Sequence, residues 1–137
     1  GDMLLLGADL KKDPKIITAA YNDPHGITAS FNLNLLSRMN RELGADFDLQ
    51  HFMHHTFYEP VSGEVLSYIV SLQKQSVNFE ALNWKTNFDA FEIIHTEISK
   101  KYSIPELESL AKEQGYIVKE HFTDDKKYFL DTLWEVK

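Results

Sequence analysis

The chain has 137 residues, 43% of them hydrophobic and 26% charged, with a formal net charge of -7 and no cysteine. That length is one domain's worth, able to bury roughly two thirds of the unfolded surface; the acidic balance would repel a phosphate backbone and excludes nucleic acid as the expected partner. Without cysteine there is no disulfide, thiolate metal site or thiol nucleophile, and the apolar run Met3-Leu4-Leu5-Leu6 is too short to span a membrane and lacks signal-peptide flanks, so a cytoplasmic protein without membrane contact is expected.

Met3 to Leu10 reads as a strand buried on both faces, because its apolar run is not broken by polar alternation; such strands belong to covered parallel sheets. A chain that opens directly on such a strand is expected to be part of something longer. Asp13-Pro14 supplies an N-cap and a first-turn proline for a helix through Ile16, Ile17, Ala20 and Tyr21. Asn22 to Gly26 is a turn by composition. Ile27, Phe31, Leu35, Met39 and Leu43 then recur at i+4, a helix stopped by Gly44. Asp46 to His55 is expected to add a short helix, with Phe47, Leu49 and Phe52 inward.

The period then changes. Leu66, Tyr68, Val70 and Leu72 alternate with polar residues over Glu64 to Gln73, a strand pattern. Further strands are expected at Val77–Phe79 and Trp84–Phe88, making Glu64 to Ile98 an antiparallel meander. Ser103-Ile104-Pro105-Glu106 carries a capping box and a first-turn proline for a helix over Pro105 to Gln114, closed by Gly115. Tyr116 to Phe122 and Lys127 to Val136 form a hairpin across Thr123-Asp124-Asp125-Lys126. With no repeat, low-complexity tract or linker, residues 1–137 are expected to form one unit.

The corner Thr96-Glu97-Ile98-Ser99 lies where strand gives way to helix. Alternation puts Glu97 and Ser99 on one side of extended backbone, about 7 Å apart. An acceptor and a hydroxyl at that spacing suit a small ring with two nitrogens, although the spacing by itself favours an exposed Glu and a Ser near a helix start. His51 and His55, four apart on the expected helix, suggest a metal pair, but Phe52 stands where a zincin needs Glu and no third ligand follows, so no metal site is expected. His95 reads as a strand residue. Asp9 suits either a cleft or the turn after its strand. The six glycines stand singly, so no Gly-rich phosphate or dinucleotide turn is present.

Several stretches, taken in order, resemble one family. They are Gly7-Ala8-Asp9-Leu10-Lys11-Lys12-Asp13, Ala20-Tyr21-Asn22-Asp23, Gly26-Ile27-Thr28-Ala29, Phe31-Asn32-Leu33-Asn34-Leu35-Leu36, Asn40-Arg41-Glu42-Leu43, Ala45-Asp46-Phe47-Asp48 and the Thr96–Ser99 corner. Together they are similar to the histidine-specific S-adenosylmethionine-dependent methyltransferases, a family known from ergothioneine synthesis. The resemblance runs from about Gly7 to the C-terminus and implies an α/β chain, α+β in isolation, forming the C-terminal part of a Rossmann-like methyltransferase. In it, 3–10 would be a late sheet strand, 14–96 an inserted substrate lobe of helices and antiparallel meander, and 105–137 the last helix with the closing strand pair.

The resemblance further implies substrate contacts. Tyr21 would bond the carboxylate of the amino acid, Glu97 and Ser99 would hold the imidazole nitrogens, and Thr28 and Phe31 would lie around the amine. Core packing competes for Phe31, which sits on the i+4 stripe, and helix-end packing competes for Tyr21. The family cofactor is S-adenosylmethionine, which this chain is not expected to bind by itself because its Gly-rich loop is absent; no catalytic residue is assigned. The expected function is the substrate-recognition half of a histidine N-methyltransferase, inactive without the cofactor half and prone to self-association or pairing with it. The alternative is a free-standing small-molecule-binding or scaffold domain that has lost catalysis.

Overall fold

A computed structural model describes residues 1–137. In chain order the elements are β1 (Met3–Asp9), α1 (Pro14–Tyr21), α2 (Ile27–Leu43), β2 (Phe52–Glu59), β3 (Glu64–Ser71), β4 (Gln75–Phe79), β5 (Trp84–Phe88), β6 (Ile93–Lys100), α3 (Ile104–Glu113), β7 (Tyr116–Thr123) and β8 (Phe129–Val136), with 3-10 turns at Leu49–His51 and Glu80–Leu82. No helix is long and apolar enough to cross a membrane. Residue contacts divide the chain into two compact units: Gly1–Pro14, Glu59–Glu64 and Ser99–Lys137 form the first, Lys15–Tyr58 and Val65–Ile98 the second.

The first unit is a three-stranded sheet in the order β1-β8-β7, antiparallel throughout. Helix α3 covers one face, so that Leu107 and Ala111 pack with Ala8, Leu10, Leu130 and Trp134. Its start follows from the sequence: Ser103 Oγ accepts from the Glu106 backbone, while the Glu106 carboxylate accepts from the Ser103 N–H at 2.7 Å. Lys11 adds an ion pair to that carboxylate at 3.1 Å. Burial pushes the Glu106 carboxyl up, but the Ser103 backbone and hydroxyl donors and the Lys11 ammonium outweigh it and hold the group at about 2. Asp9 pairs with Lys12 in the segment after its strand and, at 3.2 Å, with the buried Lys101.

β1 departs from expectation. It pairs antiparallel with β8 at the edge of the sheet, and Met3, Leu4 and Leu5 are 53, 38 and 62% exposed. Its unbroken apolar run signals cover on two faces, and within this unit α3 supplies cover on one.

The second unit joins α1 and α2 to a sheet in the order β2-β3-β6 and to a separate hairpin, β4-β5. Leu36 of α2 sits at the centre of a core with Phe47, Phe52, Ile69, Val77, Phe79 and Phe88. Its aromatic rings meet edge to face, Phe47 with Phe79 at 5.6 Å and Phe52 with Phe88 at 5.6 Å. Gly44 ends α2 at φ 59, a left-handed turn that favours glycine. Asn40 then bonds both the N–H and the carbonyl of Phe47, each at 2.8 Å, and so sets the path of the returning chain.

Two expectations are corrected here. The helix expected over Asp46 to His55 is a 3-10 turn followed by β2, because Phe52, Met53, Thr56, Phe57 and Tyr58 suit a pleated surface and alternate between buried and open faces. His51 and His55 therefore share no helix: His51 pairs with Asp48 at 3.2 Å, and His55 stacks on Tyr68. The meander expected over Glu64 to Ile98 is interrupted, since β4 and β5 pair with each other while β3 lies between β2 and β6.

Candidate functional site

A cavity of ≈ 260 Å³ opens within the second unit. Helix α2 contributes Phe31, Asn32, Asn34, Leu35 and Arg38, and β6 contributes Thr96 and Glu97. The helical share follows from periodicity: positions 31, 34, 35 and 38 recur at three and four residues and form one stripe. Phe31 belongs to that stripe but not to the core; it is 73% exposed. Its ring and Leu35 give the cavity an apolar wall.

The polar groups are held by specific partners. Arg38 forms a two-pronged pair with Glu42 one turn on, Nε to Oε1 at 3.2 Å and Nη2 to Oε2 at 3.1 Å. That pair raises the guanidinium and lowers the Glu42 carboxyl, first through the hydrogen bonds and then through charge. Asn32 is buried, 5% exposed, with its Nδ2 donating to the Thr28 carbonyl at 3.2 Å. The Thr96 hydroxyl lies 2.8 Å from Asn32 Oδ1 and 3.0 Å from the Ser67 carbonyl, one proton between two acceptors. On β6 the His95 Nε2 lies 3.1 Å from the Glu97 carbonyl, and its ring rests 5.1 Å from that of Tyr68.

Of the residues singled out from sequence, Phe31 and Glu97 line this one cavity. Thr28 stands in the first turn of α2, its N–H bonded to Asp23 at 2.8 Å and its hydroxyl turned to the Ala20 carbonyl at 3.5 Å. Tyr21, at the end of α1, packs half-buried against Ile17, Tyr58 and Val65. Ser99 follows Glu97 by two residues on β6 and is half-buried. Neither Tyr21, Thr28 nor Ser99 lines the cavity. Sequence reading passed over Asn32, Asn34, Arg38 and Thr96. The i, i+3, i+4, i+7 spacing from Phe31 was the available signal for Asn34 and Arg38; Asn32 and Thr96 are joined by tertiary contact and had none.

A sequence profile of the family described as histidine-specific methyltransferase, SAM-dependent, matches residues 1–136. The chain is 42% identical over 102 residues to the histidine N-alpha-methyltransferase of Mycobacterium tuberculosis (strain CDC 1551 / Oshkosh), which covers 74% of this chain and 32% of that protein. It is 37% identical over 124 residues to the histidine N-alpha-methyltransferase of Mycolicibacterium smegmatis (strain ATCC 700084 / mc(2)155), covering 90% of this chain and 39% of that protein. The chain thus matches 32 to 39% of the length of these relatives.

Proposed function

The chain belongs to the histidine-specific, S-adenosylmethionine-dependent methyltransferase family, and on that premise we propose that it is the substrate-recognition portion of an amino-acid Nα-methyltransferase acting on histidine. The observation that carries this reading is the meeting of Phe31 and Glu97, far apart in the chain, at one cavity. In this role Glu97, with Ser99 two residues on, accepts and donates to the imidazole nitrogens. An apolar ring in the same place would make neither of these hydrogen bonds, which is how a hydrogen-bonding site prefers an imidazole to a near-isostere. Phe31 presents its ring face beside the amine, where a methylated, cationic nitrogen is favoured. Thr28 borders the amine end, and Tyr21 takes the carboxylate. The extent of the second unit, residues 15–58 and 65–98, supports 14–96 as a lobe inserted into a Rossmann-like sheet.

The methyl donor of the family is S-adenosylmethionine, and the glycines here do not fit it. A Cβ at Gly63 would stand 2.2 Å from the Lys101 carbonyl oxygen, and one at Gly7 would stand 3.0 Å from the Phe129 ring, so both positions are filled by protein. Gly26 and Gly115 face open space, but each turns the chain singly at a helix end. The role assigned to this chain therefore lies with the amino acid.

Titration of the chain with histidine, followed by amide and side-chain resonances, tests the proposal. Saturable shifts at Phe31 and Glu97 are expected; their absence at millimolar histidine overturns it. A second reading is a free-standing small-molecule-binding or scaffold domain that has lost catalysis. That domain would give the same histidine complex, and would differ in showing no methyl transfer when joined to a cofactor-binding half.

A further inference from the structure

We infer that Asn32 and Thr96 are a positioning pair, holding α2 and β6 at the angle that brings their neighbours Phe31 and Glu97 to one cavity. The inference rests on the assignment of that cavity to the amino acid. Asparagine is a weak helix former, and a buried amide costs free energy unless its hydrogen bonds are made. Position 32 lies one turn before Leu36, which is fully buried, so an apolar side chain there would pack without that cost. What the amide supplies instead is direction. Its nitrogen is fixed by the Thr28 carbonyl of its own helix, and its oxygen is thereby aimed at the Thr96 hydroxyl on β6. Thr96 is anchored in turn beside the Ser67 carbonyl of β3. Apolar packing between a helix and a strand tolerates small rotations, whereas a hydrogen bond weakens steeply with angle. Because Phe31 precedes Asn32 and Glu97 follows Thr96, a rotation at this contact would turn both away from their shared cavity.

The test uses the whole chain. Thr96→Val removes the hydroxyl and keeps the branched shape; Thr96→Ser keeps the hydroxyl. Two quantities are measured well below the melting temperature: histidine affinity, and the amide residual dipolar couplings of α2 and β6, which read the angle between them. Thr96→Val is expected to weaken histidine about three- to tenfold and to shift or average the couplings, with Thr96→Ser restoring both. Unchanged affinity and unchanged couplings in a folded Thr96→Val overturn the inference. If Thr96→Val does not fold, Asn32→Leu breaks the same link from the helix side and is read in the same way. If the unaltered chain fails to bind histidine, the functional proposal falls. The couplings then decide the positioning inference by themselves: altered in Thr96→Val and restored in Thr96→Ser they sustain it, and unaltered they overturn it.

Discussion

The carboxylate of Asp23 accepts hydrogen bonds from the backbone N–H groups of Ile27 at 2.9 Å and Thr28 at 2.8 Å. It thereby caps α2 from three residues before the helix's own N-cap, Gly26, which has no side chain to offer and adopts a left-handed φ of 68. The Thr28 amide foremost, then that of Ile27, stabilises the charged form and holds the Asp23 carboxyl at about 2, below its ordinary 3.8.

The sign of the pH effect follows. A group whose value is depressed on folding contributes stability that is present above its unfolded value and is lost as pH falls through its folded value. The start of α2 should therefore stay protected above about pH 4 and fray as pH approaches about 2. In Asp23→Ala, amide exchange at Ile27 and Thr28 should already be faster at neutral pH and should lose this acid step. Equal protection in both proteins would show that the cap is not what orders the turn before Phe31.

Glu106 offers a parallel test in the first unit. Its side chain is 38% exposed, so solvent screens the Lys11 pair, and because glutamine keeps the capping hydrogen bond, Glu106→Gln should cost only the screened charge, about 0.2–1 kcal/mol. By the same sign argument the difference between the two proteins should be present above about pH 4.5 and vanish as pH falls toward about 2. Urea denaturation at pH 7 and at low pH measures it, and a difference that persists unchanged in acid would assign the effect to packing rather than charge.

Much of this architecture was legible because it is set locally. The Ser103–Glu106 box, the glycine stop at Gly44 and the β7-β8 hairpin each depend on a few adjacent residues, and each stands where the sequence puts it. Residues 46–55 differ from the helical expectation because Phe47, Leu49 and Phe52 satisfy helical spacing, while the side chains that make β2 a strand reveal themselves only against β3. The apolar run of Met3 to Leu10 signals cover on two faces, whereas α3 covers one and Met3, Leu4 and Leu5 stay exposed. Phe31 sits on the same i+4 stripe as its buried-looking neighbours, and nothing in that spacing distinguishes a core ring from one that is 73% exposed at a cavity. Asn32 and Thr96 lie beyond any local pattern, since their relation is a hydrogen bond between elements distant in the chain.

The open strand should have consequences in solution. β1 is bonded on one side by β8 and sits at the sheet edge, with Met3 and Leu5 exposed. Unpaired edge groups beside apolar surface favour association. Light scattering should show the mean mass rising with concentration, and Leu5→Lys should reduce that rise without lowering the melting temperature. A mass that stays monomeric at high concentration would show that this edge is not adhesive in the isolated chain.

The central claim is that Glu97 and Ser99 grip the imidazole of histidine. Its most direct measurement is histidine affinity beside melting temperature for Glu97→Ala and Ser99→Ala, in the chain joined to a cofactor-binding half. A charge-assisted hydrogen bond is worth about 1.5–3 kcal/mol and a neutral one about 0.5–1.5 kcal/mol. Glu97→Ala should therefore lose roughly ten- to more than a hundredfold in affinity, and Ser99→Ala roughly two- to tenfold, with little change in melting temperature for either. Unchanged histidine affinity in Glu97→Ala, accompanied by a lower melting temperature, would contradict the account and leave Glu97 as a support of β6.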